Sequence, residues 1–271
     1  MSTNSRRVCI HSGRYKDFDY DHKYMDYVYK RPEYKCGLGN VLIHLTSLPE
    51  ECRLLHENVY KYELSNCMLL NGFTKVSRDG TQPPISIYIN DYTVRFVHPR
   101  MRNFLRPTDH MKAMIAKHTH LLDGVVAGCS IRHGCYKADS TRYNNCDLKK
   151  DPEQFFCSDS GLYNFKNIIR NANGRIFVST DSPSTLHDLI EEFGDKITYI
   201  DMPYTCIGAV DGPESSVEDM QKVFLKWFLL SMCPHLYLTG GEQGKDIGGF
   251  STFAYTAAIY GGVPFSCVYN N

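Results

Sequence analysis

Gly124-Val125-Val126-Ala127-Gly128-Cys129-Ser130-Ile131-Arg132-His133-Gly134 is the stretch from which the rest of the chain is read. Residues 124–131 are small and apolar, lie between glycines, and run into a long polar segment over 133–157. The run is too short for a helix and is uniformly apolar, so it predicts a strand buried on both faces. The same grammar continues downstream. The spacing predicts helix over 161–171, strand over 175–179, and helix over 183–193 with Ser182 as N-cap and Pro183 at its first position. Strand follows over 197–200, helix over 216–232, strand over 235–238 and helix over 251–260. The helix over 216–232 opens on a capping box, Ser215-x-x-Glu218. It carries Val217, Met220, Val223, Phe224, Trp227 and Phe228 on one face. Short apolar strands alternating with helices predict an α/β fold whose parallel sheet is covered on both faces. Ligands of such sheets sit beyond the carboxyl ends of the strands, where helix N-termini point.

Upstream the pattern is looser. Leu42, Leu45, Leu48, Leu54 and Leu55 recur near the helical period and predict helix over 40–57, with Pro49 as a bend. Residues 8–10 read as a short strand, 85–89 and 94–97 as two strands around the Asn90-Asp91 turn, and 108–122 as helix.

Composition sets the outer limits. The chain has 271 residues, 42% of them hydrophobic and 22% charged, which excludes a disordered or collagen-like chain. Lys plus Arg (30) balances Asp plus Glu (30), and that zero net charge argues against nucleic acid or an anionic membrane as the main partner. No apolar run approaches the ~20 residues of a membrane span. The 11 cysteines are odd in number and contain no Cys-x-x-Cys pair. Residues 1–7 lack an apolar signal core, and there is no Asn-x-Ser/Thr sequon. These features favour a reducing cytosol with free thiols; the alternative is a secreted chain whose leader has been removed.

Four segments could carry chemistry. Cys36-Gly37-Leu38-Gly39-Asn40 leads into a helix: its glycines either let backbone N–H groups approach a ligand or make a plain turn. Arg132, after the 124–131 strand, faces the ligand crevice and could hold a phosphate bidentately or pair with a structural carboxylate. Ser179-Thr180-Asp181-Ser182-Pro183 places an acidic residue after a strand, where Asp181 could accept from a ribose hydroxyl, position Arg132, or serve in helix capping. Gly248-Gly249-Phe250-Ser251-Thr252-Phe253 puts Ser and Thr at a helix start, a phosphate cradle by type. The glycine-rich residues 240–249 before it read as a loop able to act as a lid.

In this order the four segments resemble the GT-B fucosyltransferase superfamily, which includes α1,2-, α1,6- and protein O-fucosyltransferases and the nodulation fucosyltransferase. Gly37-Leu38-Gly39-Asn40 is similar to its Gly-x-Gly-Asn loop, and Ser130-Ile131-Arg132-His133-Gly134 to its His-x-Arg-Arg/His-Gly motif. Residues 175–183 resemble its strand-(Ser/Thr)-Asp segment. Leu229-Leu230-Ser231-Met232-Cys233 followed by Ser251-Thr252-Phe253 resembles its C-terminal ending. The resemblance covers residues 124–260 and, upstream, the glycine loop alone. It implies two Rossmann-like halves facing a cleft: a reduced acceptor-side domain over 1–122 and a nucleotide-sugar domain over 123–271. It also implies an inverting, metal-independent glycosyltransferase with no cofactor, whose nucleotide-sugar donor is a co-substrate and whose acceptor is an oligosaccharide or glycoprotein hydroxyl. Arg132 is expected to stabilise the departing diphosphate. Gly37, Gly39, Asn40, Ser130, His133, Thr180, Asp181, Ser251, Thr252 and Phe253 are expected to bind the donor.

Two departures bear on the donor. Ser130 stands where the family has His, and Lys226 where it has Asp, and both positions contact guanine nucleoside in several members. GDP-fucose and a UDP-sugar such as UDP-xylose therefore both stand as donors. A compact transferase of this kind would suit a large DNA virus glycosylating its capsid in the host cytosol, or a bacterium. Inverting transfer needs a base for the acceptor hydroxyl; Asp139, in the loop after Arg132, is the expected one. Tyr15, Tyr20 and Tyr24 in the Tyr-rich N-terminus could stack on acceptor sugars or form a surface coat. Two alternatives remain open. One is a metal-dependent GT-A transferase using Asp17 and Asp19, although the polar residues before them are not the apolar strand such a site needs. The other is a glycan-binding protein on a decayed transferase fold.

Overall fold

The computed structural model of the chain describes residues 8–11, 39, 42, 54–56, 68–70, 74–76, 85–88, 101–137, 139, 156–201, 217–242 and 251–270. The predicted strand over 94–97, the expected cap at Ser215, and Tyr15, Asp17, Asp19, Tyr20, Tyr24, Gly37 and Asn40 lie outside them.

Upstream, β1 (Val8–His11) runs parallel to β5 (Ile85–Tyr88), and β2 (Leu54–His56) parallel to β4 (Thr74–Val76). β3 (Met68–Leu70) pairs antiparallel with β6 (Leu105–Pro107), which follows the short helix α1 (Met101–Phe104). Leu42 is helical as expected and Gly39, expected in the loop before the helix, is helical too, but Leu54, Leu55 and His56 form β2. The helix predicted over 40–57 therefore does not hold to its end. Helix α2 (Asp109–His118) is capped by Thr108, whose hydroxyl accepts from the Met111 N–H at 3.2 Å. A 3₁₀ turn, Thr119–Leu122, completes the segment.

The apolar run that opens the sequence reading becomes β7 (Val125–Ile131). After it come α3 (Asp159–Asn171), β8 (Arg175–Thr180), α4 (Pro183–Phe193) and β9 (Ile197–Tyr199). The chain continues through α5 (Val217–Ser231), β10 (Leu236–Glu242), α6 (Thr252–Gly261) and β11 (Phe265–Asn270). The five strands form one parallel sheet in the order β11-β10-β7-β8-β9. Counted in chain order this is 3-2-1-4-5, the winding of a Rossmann-type α/β sheet. β11 has no counterpart in the sequence pattern, and β10 extends through Gly240 and Gly241, where the glycines predict a loop.

Both faces of the sheet are covered. Ala127, Cys129, Ile131, Ile176 and Val178 pack with Phe165 and Ile169 of α3 and Leu186 and Leu189 of α4. On the other face, Phe177, Leu236 and Leu238 pack with Phe224, Trp227 and Phe228 of α5 and Ala254, Ala257 and Ala258 of α6. The latter core also takes in Leu42, Met101, Leu105 and Met111, so upstream chain is bound into it. Trp227 ties α5 to α6 by donating from Nε1 to Thr256 Oγ1 at 3.0 Å. Arg102 reaches from α1 to the carbonyls of Tyr260 and Gly261 at the end of α6. That is where a helix dipole favours a cation.

Candidate functional site

The winding fixes where a site can form. The connections among β7, β8 and β9 place α3 and α4 on one face, and those among β9, β10 and β11 place α5 and α6 on the other. The switch falls between β7 and β10, and the crevice beyond their carboxyl ends is where such sheets take ligands. Arg132 leaves β7 at this point. Its backbone N–H donates to Thr239 Oγ1 at 2.9 Å, and the same hydroxyl donates to the Ser130 carbonyl at 3.1 Å. One side chain of β10 thus pins the end of β7. The Arg132 carbonyl accepts from the Cys157 N–H at 2.7 Å, and the half-buried guanidinium lies 5.8 Å from the centre of the Phe156 ring.

Helix α6 begins beside this corner. The Ser251 N–H donates to the Thr239 carbonyl at 2.9 Å, which fixes the helix start to the switch point. Ser251 is the N-cap residue, yet its side chain makes no capping bond, is only 4% exposed, and has no hydrogen-bond partner among the described residues. The glycine loop arrives at the same place. Gly39 lies so close to the peptide joining Thr252 to Phe253 that a Cβ there would overlap it. Thr252 begins the helix, and the partly buried Phe253 packs against the core. Three segments distant in sequence (Gly39, Arg132 with Ser130, and Ser251 with Thr252) therefore meet at one corner.

His133 and Asp181 support the corner from below. Asp181 Oδ1 accepts from the His133 N–H at 2.7 Å and Oδ2 from the Gly134 N–H at 3.1 Å. Gly134 takes a positive φ of 52° against the Phe156 ring, a position any Cβ would fill with overlap. His133 is fully buried. Its Nδ1 lies 2.8 Å from the Cys157 carbonyl, which can only accept, so Nδ1 carries the proton and Nε2 accepts from Thr185 Oγ1 at 2.9 Å. Burial lowers its pKa, and the nearby Asp181 charge opposes that only in part, so the ring is held neutral. His133 and Asp181 were expected to bind the donor. In the structure each is engaged in holding the loop that carries Arg132. Thr180, likewise expected at the donor, is buried and accepts from the Ser182 N–H at 3.3 Å.

Asp139 also departs from expectation. Its Oδ1 accepts from Ser182 Oγ at 2.8 Å and its Oδ2 from the Ser184 N–H at 2.7 Å, so it caps the N-terminus of α4 together with Ser182. Partial burial raises its pKa, but the hydrogen bonds from Ser184 and Ser182 outweigh this and hold it below the usual carboxylate range. A carboxylate engaged through both oxygens and stabilised as the anion is a weak proton acceptor, which tells against Asp139 as the base.

Lys226 completes the surroundings. It lies on α5 among Phe224, Leu225, Trp227 and Phe228, and only 7% of it is exposed. Burial brings its pKa down to about 8, against the opposing pull of Asp181 and Asp201. Sequence reading did not single out Ser179. Its available signal was a hydroxyl directly after the apolar run Ile176-Phe177-Val178. Among the described residues no group of three or more His, Cys, Asp or Glu is placed to hold a metal, and no helix is long and apolar enough to cross a membrane.

No protein family matches the chain, and no curated protein does. Solved structures do. The chain is similar to a NodZ α-1,6-fucosyltransferase soaked with GDP-fucose, at 12% identity and a TM-score of 0.49, over 94% of this chain and 92% of that one. It is similar to a fucosyltransferase NodZ from Bradyrhizobium at 12% identity and a TM-score of 0.48, over 93% and 91%. A third likeness is to POFUT1 in complex with GDP-fucose, at 9% identity and a TM-score of 0.40, over 73% of this chain and 55% of that one.

Proposed function

We propose that this protein is a glycosyltransferase that moves a sugar from a nucleotide-sugar donor to a glycan hydroxyl, by an inverting reaction that needs no metal. Residues 123–271 take the donor, and residues 1–122 the acceptor, with Tyr15, Tyr20 and Tyr24 as stacking groups. The observation that carries this reading is the meeting of Gly39, Arg132 and Ser251 at the switch point of a Rossmann-ordered sheet. The chemistry follows from the parts. As the bond between the sugar and the β-phosphate breaks, negative charge grows on the diphosphate. The Arg132 guanidinium offers two parallel N–H donors to it. The N-terminus of α6 adds backbone N–H groups and the positive end of its dipole, and the Ser251 hydroxyl adds one further donor. Donors fixed before the reaction stabilise that charge without reorganising. GDP-fucose and UDP-sugars are the donors that the motifs favour.

A second reading has one observation behind it. Asp139, the carboxylate nearest the site in sequence, caps α4, and this suits a glycan-binding protein that retains the fold without the reaction. Hydrolysis and transfer measured over a panel of GDP- and UDP-sugars, with and without EDTA, separates the cases. The transferase reading expects turnover that survives EDTA and falls at least about a hundredfold in Arg132→Ala, the loss typical of removing such a stabilising group. Unchanged turnover in that variant would overturn it. Turnover restored only by Mn²⁺ would favour a metal-dependent site at Asp17 and Asp19. Glycan binding without turnover on any donor would favour the binding protein.

A further inference from the structure

Asn270 closes β11, the outer strand of the sheet, and its side chain reaches the segment that leads into α3. Its Nδ2 donates to the Phe156 carbonyl at 2.9 Å, and its Oδ1 accepts from the Ser158 N–H at 3.0 Å. A backbone carbonyl only accepts and a backbone N–H only donates, so this orientation of the amide alone satisfies both. Gly161, in the first turn of α3, makes room for it: a Cβ there would overlap Asn270 Oδ1. One side chain thus grips residues 156–158 at both ends.

The residue between the two bonds is Cys157, and Cys157 holds the Arg132 loop. Its N–H donates to the Arg132 carbonyl at 2.7 Å, and its carbonyl accepts from His133 Nδ1 at 2.8 Å. Phe156 meets the same loop through its ring, which lies 5.8 Å from the Arg132 guanidinium and against Gly134. At that separation a guanidinium is attracted to the face of an aromatic ring. Residues 156–158 therefore support the loop from the α3 side, as Thr239 does from β10. Asn270 touches neither Arg132 nor the corner, but its two bonds fix where Cys157 and Phe156 stand.

We propose that Asn270 is a positioning residue for Arg132: through residues 156–158 it sets where the guanidinium stands relative to the diphosphate of the donor. The inference rests on the nucleotide-sugar reading above, which supplies the diphosphate. Small displacements matter at such a site, because a misplacement of about 1 Å can cost on the order of a hundredfold in rate.

Two variants test the clamp. Asn270→Ala removes both bonds, and Asn270→Asp keeps the acceptor for Ser158 but turns a carboxylate oxygen on the Phe156 carbonyl. Asn164→Ala is the control: Asn164 Nδ2 donates to the Tyr269 carbonyl at 3.0 Å, so its loss also loosens β11 from α3 but leaves residues 156–158 alone. Titration calorimetry with inorganic pyrophosphate on the intact chain compares these with the wild type and with Arg132→Ala. Arg132→Ala is expected to weaken pyrophosphate at least about tenfold, the effect of losing a charged hydrogen bond. Each Asn270 variant is expected to weaken it about five- to tenfold, and Asn164→Ala to leave it unchanged. In an Arg132→Ala background Asn270→Ala is expected to have no further effect, because residues that act through one another are not additive. Should Asn270→Ala fail to fold by circular dichroism, Asn270→Asp carries the same comparison. Full affinity in a folded Asn270 variant, an equal loss in Asn164→Ala, or an undiminished effect in the Arg132→Ala background overturns the positioning role and leaves the transferase reading standing. A wild type that does not bind pyrophosphate, or unchanged affinity in Arg132→Ala, overturns the nucleotide-sugar reading and the proposal with it.

Discussion

His133 shows how a residue with the chemistry of a catalyst can serve another purpose. An imidazole next to the proposed phosphate site invites a role in proton transfer, but this ring is fully buried, with its two nitrogens engaged by the Cys157 carbonyl and the Thr185 hydroxyl. It therefore sets the shape of the loop that carries Arg132. Its folded pKa lies below its unfolded value, so the unfolded chain binds the extra proton first as the pH falls. The stability this residue contributes is complete above the unfolded pKa of about 6.5 and is lost as the pH drops below it. Thermal unfolding followed between pH 8 and 5 should show a decline starting near 6.5. His133→Gln should flatten that decline and lower the plateau by about 1–3 kcal/mol, since its buried partners lose their bonds. An acid limb of the same slope in the variant would mean that other groups carry it.

At the scale of elements, α4 gives the sharpest test. Ser182, Pro183 and Asp139 all act on its first turn, and the negative charge of Asp139 suits the positive end of the helix dipole. Asp139→Ala should cost about 0.5–2 kcal/mol of stability, as losing a cap does, and reduce turnover only by the amount that loosening implies. A fall in turnover of about a hundredfold or more at an unchanged melting temperature would return the role of base to Asp139. The elements also show what was legible beforehand. From β7 to α6 the apolar strands, the Ser182 cap and Pro183 could be read, because burial on both faces leaves a nearly continuous apolar signature. β11 escaped because it is an outer strand: Phe265 and Tyr269 are exposed and Val268 is buried, so hydrophobicity and burial do not coincide along it. β2 was read as helix because three residues, Leu54 to His56, carry too little periodicity to separate the two. Arg132 was legible as a residue following a strand, and Ser251 as one at a helix start. The work of Asp139 and Asp181 was not, because their partners, Ser184 and the 133–134 backbone, lie more than forty residues away in the chain.

For the whole molecule, the decisive contact is the one between Gly39 and α6. It brings the glycine loop of the first quarter of the chain against the start of the last sheet-covering helix. Gly39→Ala should force the Thr252–Phe253 peptide to shift. The expected cost is about 1–3 kcal/mol, as in other overpacked sites, with weaker pyrophosphate binding because the α6 N-terminus moves with it. Unchanged stability and affinity would mean that the loop and the helix do not bear on each other. Zero net charge fits this architecture: the positive potential the proposed site needs is concentrated at one guanidinium and one helix end.

The pairing of β7 with β10 also has a consequence for biosynthesis. A ribosome delivers β7, β8 and β9 as consecutive neighbours, and they can associate as soon as they emerge. The other wall of the crevice comes from β10 and α6, made roughly a hundred residues later, and Gly39 has no surface to settle on until Thr252 is out. Between the synthesis of β7 and that of β10 one edge of β7 therefore waits uncovered, with Ser130 and Arg132 beside it. The corner proposed to bind the donor is among the last parts of the sheet to close.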